Sequence, residues 1–323
     1  MRTESGLSHG VIGRRLPMES CDTYEFELEC RDLGAASARA RMRIDERGPD
    51  AYRAAHAGYE GATAFPPYYD RKWLSLRLSA VKRGMVVDQT VTPTFLERVT
   101  DGRCPVTLEP FSTKGTSAAN PSVDRLVNEV TYRAGNICVI SMRANRAKGE
   151  RSFEEVAQLA QAGEHHAGLE PVEWMRLASL MYGAWARAYR CSDPHLLPLA
   201  AMPGPGMFVS TSQAVQVLLT RQYSNADGAS AATTRWLELT REAGCPDAVF
   251  CRLSENLARA LAEEEHPGNA WLHGAVFEAF VAWYNASSAA VVPAIERLLK
   301  RHQARSGDAV AYLEWPTTSR YLG

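Results

Sequence analysis

Two short stretches separated by a loop constrain this chain more than any other part of it. They are Ser122-Val-Asp-Arg-Leu126 and Ile137-Cys-Val-Ile-Ser141, and the second runs straight into Met142-Arg-Ala-Asn-Arg-Ala-Lys148. The first two read as strands and the third as the start of a helix. Between the strands, Leu126 to Asn136 reads as a loop carrying Asn128 and a turn at Arg133-Ala-Gly135. The spacing suits one hairpin followed directly by a helix.

The flanking sequence supplies further elements. Around residues 22 to 46, Tyr24, Phe26 and Leu28 alternate with Glu25, Glu27 and Glu29, and Ala38, Ala40, Met42 and Ile44 alternate with Arg39, Arg41 and Arg43. Period-two alternation predicts an N-terminal β-hairpin turning at Asp32-Leu-Gly34, with charges paired across the strands. Residues 47 to 69 read as a loop or linker rich in Gly, Pro, Ala and Tyr. From Tyr69, a basic helix carries Trp73, Leu76, Ala80 and Val81 at helical spacing and ends at Gly84. Thr92-Pro93 then opens a short second helix, with Thr92 as its cap.

Beyond about residue 152 the period is helical throughout. Apolar residues recur at three and four over 171–190, 211–223, 230–243, 247–264, 269–285 and 288–304, which predicts about six helices and a possible short strand at Val310–Trp315. The expected fold class is α+β in three parts: a hairpin and linker at 1–67, the hairpin–helix unit with its basic helix at 68–155, and a mostly α-helical domain at 156–323. Trp174, Trp185, Trp236, Trp271 and Trp283, with Met175, Met181 and Met202, form stripes that suit a core, and equally a dimer face or a protein-docking surface.

At 323 residues the chain is long enough for two domains, and its 46% hydrophobic and 23% charged content is that of a globular protein. A net charge of −1 excludes a global nucleic-acid signature, so any basic surface is local. The first residues lack the apolar run of a secretory signal, and no segment has the apolar length of a membrane span. The seven cysteines are scattered, which suits reduced thiols in a cytoplasm better than a disulfide framework; Cys21 and Cys30 suit paired strand positions as well as ligands, and buried thiols better than either. No nucleotide-binding glycine loop, Ser-His-Asp order or Cys-x-x-Cys pair occurs, so no second enzyme is expected.

In order along the chain stand Lys82-Arg-Gly84, Cys104-Pro-Val-Thr107, Pro121-Ser-Val-Asp-Arg-Leu126, Gly135-Asn136 and Arg143-Ala-Asn-Arg-Ala-Lys148. This succession resembles the HNH (ββα-metal, His-Me finger) endonuclease-like proteins of phages and mobile elements, over residues 68 to 155, about a quarter of the chain. The resemblance implies a hairpin that carries an acid and a base, a helix that faces them with a third polar group, and a divalent cation between. The metal would stabilise charge on a scissile phosphate and the base would deprotonate a water.

Carried over by position, Asp124 matches the acidic metal ligand, Asn145 the helix ligand, and Asn136 the residue that braces the loop. Arg125 stands where the family has its general-base histidine. A guanidinium stays protonated and is no base, although it can clamp a phosphate through two hydrogen bonds. Mg²⁺ or another divalent cation is the implied cofactor, held by Asp124 and Asn145, which is a thin set for a hard cation. No structural zinc is expected, because Cys104 lacks a second cysteine nearby and Arg143 fills another expected cysteine position. Two other readings stay open: Asp124 and Arg125 as a strand-end ion pair, and Asn145 as a helix residue bonding the loop.

Lys114 to Arg151 holds seven Lys/Arg (114, 125, 133, 143, 146, 148, 151) against three acids (124, 129, 150), a local charge of +4. With the basic helix this suggests a phosphate-binding face made of Arg71, Lys72, Arg77, Lys82, Arg83, Arg133, Arg143, Arg146 and Lys148. His165 and His166 could replace the missing base; His195, His266, His273 and His302 suit core or surface roles. The acidic run Glu263 to Glu265 argues against DNA lying along that helix end.

The expected function is a metal-dependent DNA endonuclease in the cytoplasm of a bacterial host, with a phage as one source of its gene. The alternative is a nuclease-derived DNA-binding or protein-interaction protein, an inhibitor or scaffold, that does not cut. DNA is the expected partner, with a protein partner or homodimer possible through the helical domain, and no membrane.

Overall fold

The computed structural model describes residues 22–112, 115–191, 196–224 and 226–306, with side chains described for all of these except 226–231 and 299–306. Cys21, Lys114, His195, the side chain of His302 and the strand expected at Val310–Trp315 lie outside the described residues. The fold is α+β. Its two strands, β1 (Pro121–Arg125) and β2 (Ile137–Ser141), pair antiparallel in one two-stranded sheet. Four helices precede the sheet: α1 (Thr23–Arg39), α2 (Asp50–Ala57), α3 (Tyr68–Val81) and α4 (Pro93–Val99). Seven follow it: α5 (Met142–Lys148), α6 (Phe153–Ala162), α7 (Pro171–Ala188), α8 (Thr211–Tyr223), α9 (Ala226–Glu242), α10 (Asp247–Glu263) and α11 (Gly274–Ser306).

The N-terminal hairpin expected at residues 22–46 is instead α1. Asp22 caps it by accepting from the Tyr24 N–H at 2.7 Å, and Glu25 and Arg39 stand at the ends that suit the helix dipole. Its buried residues, Cys30, Leu33, Gly34 and Ser37, fall at helical spacing. Glu27 pairs with Arg31 one turn on, along the helix rather than across two strands. Gly34, read as a turn, lies mid-helix because α2 crosses there; a Cβ would sit 2.3 Å from the Tyr52 carbonyl oxygen. The linker expected at 47–69 contains α2, whose Tyr52 is buried against α1.

The sheet is covered on both faces, which explains why every residue of β2 is buried and apolar alternation is missing from it. Ile137 joins a cluster with Leu76, Ala80, Phe95 and Leu96 of α3 and α4. Cys138 and Ile140 point the other way, into a cluster with Ala144 of α5 and with Phe153, Trp174, Leu177 and Trp185 of α6 and α7. The register pairs Asp124 with Cys138 and Arg125 with Ile137, so Asp124 faces the α5 side and Arg125 the α3 side. The boundary expected at 155/156 falls inside α6, and the largest core runs across it.

A further core joins α8 to α11 around Trp236, Phe250, Trp271, Phe280 and Trp283. The five described tryptophans of the helical region are buried, so their stripes form cores rather than a surface. The helices expected at 269–285 and 288–304 are one continuous α11 containing Pro293, preceded by a 3-10 turn at Pro267–Leu272. Among the described residues one stretch, Gly274–Leu298 of α11, is long and apolar enough by composition to cross a membrane. Its Val276, Phe280, Trp283, Val291 and Ile295 pack in the core with α8, α9 and α10.

Candidate functional site

The site grows from the pairing of β1 with α5. Ser141 ends β2 and caps α5, its hydroxyl accepting from the Ala144 N–H at 3.2 Å. That cap turns the chain back so that one face of α5 lies across β1. Asn145 donates from Nδ2 to the Ser122 hydroxyl at 2.6 Å. One turn further, the Lys148 ammonium lies 3.1 Å from Oδ2 of Asp124 and donates to Oδ1 of Asn128 at 3.0 Å. Ser122 and Asp124 share a strand face, so Asn145 and Lys148 meet them as two rungs.

Lys148 is fully buried and Asp124 nearly so. Burial pushes the Asp124 carboxyl above its ordinary pKa, and the facing ammonium pulls it back only in part. The charge that a divalent cation would supply is already supplied by the chain. A second cation against the same carboxylate would meet the ammonium's repulsion inside a dry site. Asn145 adds one amide, and among the described residues no group of three or more His, Cys, Asp or Glu could hold a metal ion. These residues do not fit a divalent metal.

Asn136 is buried with its amide bonded on every side: Oδ1 accepts from the Val127 N–H at 2.9 Å, and Nδ2 donates to the carbonyls of Val127, Val130 and Thr131 at 3.0, 3.0 and 3.1 Å. It holds the loop between the strands in shape and has no capacity left for chemistry. Arg125 lies on the other face. Its guanidinium donates to the Asn128 carbonyl, approaches the Met85 sulfur at 3.1 Å and stacks over Tyr132 at 5.0 Å. Asp124 and Asn145 are therefore brought to one face, whereas Arg125 and Asn136 are kept from it. The strand-end Asp124–Arg125 pair does not form.

The expected phosphate-binding face divides. Arg77 is buried, bonded to Glu29 at 2.7 and 2.8 Å and to Asp32 at 2.7 Å, and stacked on Trp73. Lys148 is buried against Asp124. Arg143 holds Glu173 of α7 at 2.7 Å and the Gly168 carbonyl at 2.8 Å. All three cations are held in ion pairs, Arg77 and Lys148 buried and Arg143 half-buried. Lys82 bonds Asp45 at 2.7 Å, which with Arg47 holds that carboxyl well below the usual range. Arg83 bonds Ser79 and Tyr132, and Arg133 is half-buried and engaged with its surroundings.

Arg71, Arg146 and Lys72 remain. Lys72 donates to the Pro121 carbonyl at 2.9 Å, and burial brings its pKa down to about 8. Arg71 and Arg146 are exposed. Arg71 adjoins Lys72 on α3 and Arg146 adjoins Asn145 on α5, the two helices that bond Pro121 and Ser122 at the start of β1. His166 is tied to Arg151 at 3.3 Å and lies 6.2 Å from the Trp174 ring, and both His165 and His166 are exposed. Neither hydrogen-bonds Asp124 or Asn145 among the described residues.

The sequence reading missed Lys148 as the partner of Asp124. Its signal was present: Ala144, Ala147 and Lys148 lie on the buried face of α5, and a lysine there needs an internal counter-charge. It also missed Cys104, whose buried sulfur accepts N–H bonds from Thr107 at 3.4 Å and Ser141 at 3.2 Å, fixing the Cys-Pro-Val-Thr turn to the end of β2. The chain matches no protein-family model, no curated protein and no solved structure.

Proposed function

We propose that this chain is a nucleic-acid-binding protein built on an HNH-like ββα scaffold, in which the Lys148 ammonium takes the place of the divalent cation and no phosphodiester is cut. The observation that carries this reading is the fully buried Lys148 Nζ, 3.1 Å from Asp124 Oδ2. A hydrolytic site needs an exposed carboxylate, an open cation position and a base for water. Here the carboxylate is buried and paired, and the family's histidine is an arginine turned to the opposite face. Arg71, Lys72 and Arg146, on the two helices that bond the start of β1, supply charge for phosphate contact without base reading.

The test pairs two measurements on the whole protein: anisotropy of labelled duplex DNA over a salt series, and plasmid nicking with Mg²⁺ or Mn²⁺. The expected result is binding that weakens steeply with salt, falls several-fold in Arg71→Ala and Arg146→Ala, and leaves the plasmid intact. Metal-dependent nicking that disappears in Asp124→Ala would restore the endonuclease. Absence of DNA affinity at low salt would remove nucleic acid as the partner.

A further inference from the structure

A second constellation lies apart from β1 and α5, in a cleft between the hairpin, α7 and the loop before α8. The cavity there is about 340 Å³, within the size range of small-molecule sites. Ile137 and Val139 of β2 form one apolar wall, and Met202 and Met207 another. Arg98, Arg103 and Arg176 line it as well, with Asp101 and His266 also on its wall.

Arg176 is the unusual member. It is 7% exposed and lies on α7. Its Nη1 donates to the Val106 carbonyl at 3.2 Å and its Nη2 to Oδ1 of Asn269 at 2.9 Å. Both acceptors are neutral. The Nε–H is buried without a partner. Among the described residues no carboxylate forms an ion pair with this guanidinium. The nearby Glu264 is committed to His273 at 2.7 Å and to Asn269 at 3.1 Å, and Glu173 to Arg143.

The other arginine buried among the described residues, Arg77, is paired with Glu29 and Asp32. A buried charge with no counter-ion is unfavourable unless something outside the chain completes it. Burial accordingly pulls the Arg176 pKa below its ordinary value. The other charged groups on the cavity wall reinforce the sign: three guanidiniums face one carboxylate, Asp101. Arg98 is partly engaged by the Phe95 ring, and Arg103 by the Leu108 carbonyl at 3.2 Å.

We propose that this cavity binds a small organic anion, a phosphate or carboxylate carried on an apolar body, with Arg176 as its anchor and Arg103 as its second contact. The Nε–H and one remaining Nη–H of Arg176 form the planar edge that takes two oxygens of such a group. The apolar walls take the body. This site is independent of the nucleic-acid reading, because it shares no residue with the start of β1.

Titration calorimetry and thermal-shift measurements on the whole protein at constant ionic strength test it, with inorganic phosphate, adenosine monophosphate and phenylacetate as probes. Saturable binding of at least one probe is expected, with a melting temperature that rises with its concentration. The phosphate and carboxylate probes separate the two head-group chemistries. Affinity should fall at least tenfold in Arg176→Met and several-fold in Arg103→Gln, which lies at the exposed rim and leaves the fold intact should Arg176→Met not fold. Failure of all three probes to bind at millimolar concentration overturns the proposal. So does binding that survives at full strength in Arg103→Gln and in whichever Arg176 variant folds, Arg176→Met or Arg176→Lys.

Discussion

At position 148 a lysine stands on the buried side of α5, beside Ala144 and Ala147, with its charge met by Asp124 and Asn128. Removing one partner of a buried pair leaves the other uncompensated, whereas removing both with apolar residues is close to neutral. Lys148→Met is therefore expected to destabilise the protein by about 3–5 kcal/mol. Adding Asp124→Leu should recover most of that loss, and urea unfolding of the two single variants and the double variant measures it. A cycle without coupling would show that the two groups do not meet.

Lys72 carries a pH effect whose sign follows from its lowered pKa. The folded protein holds this proton less tightly than the unfolded chain, about 8 against the ordinary lysine value of 10.5. Between those pH values the unfolded state binds more protons, so stability contributed by this residue rises as pH climbs from 8 toward 10.5. The gain is at most about 3 kcal/mol, less where solvent screens the ammonium. Lys72→Met should flatten that part of the stability–pH curve, read from denaturation midpoints at matched ionic strength.

The elements differ in how openly the sequence declared them. β2 and α5 could be read to the residue, because a short apolar run gives way at once to a run of strong helix formers. The helix at α4 was equally open, with Thr92 accepting from the Phe95 N–H at 3.1 Å and Pro93 in its first turn. The stretch that became α1 was misread because its glutamates and arginines satisfy a period of two as well as helical pairs. The deciding fact was tertiary: Cys30 and Leu33 pack with Leu74 and Val81 of α3, and Arg77 reaches from α3 to Glu29 and Asp32. Arg77→Met keeps the stem against Trp73 and removes the charge. It should cost about 3 kcal/mol, chiefly by stranding Glu29, and a loss well below 1 kcal/mol would assign α1 packing to its apolar residues alone.

On the scale of the whole molecule, Gly135 ties the turn before β2 to the loop before α8. Its N–H donates to the Gly206 carbonyl at 2.6 Å, its carbonyl accepts from the Phe208 N–H at 3.3 Å, and its φ of +90° is one that side chains avoid. A Cβ would meet the Phe208 ring at 2.1 Å. Gly135→Ala is expected to lose about 2–3 kcal/mol by strain and by displacing that ring. Phe208→Ala should absorb part of the loss in the double variant, and additive effects in thermal unfolding would locate the strain in the backbone alone.

What the sequence determined by itself was local: the hairpin, the start of α5 and the helical period of the C-terminal half. These follow from neighbours a few residues apart, whose backbone preferences and side-chain spacing are present in the string. What the tertiary structure decided was the state of each charge. Arg77, Arg143 and Lys148 look like one basic face in sequence and become three internal ion pairs in space. Arg176 shows no motif and becomes a buried cation lining a cavity. A charge's role depends on which distant groups desolvate and neutralise it, and that is fixed only when remote segments pack.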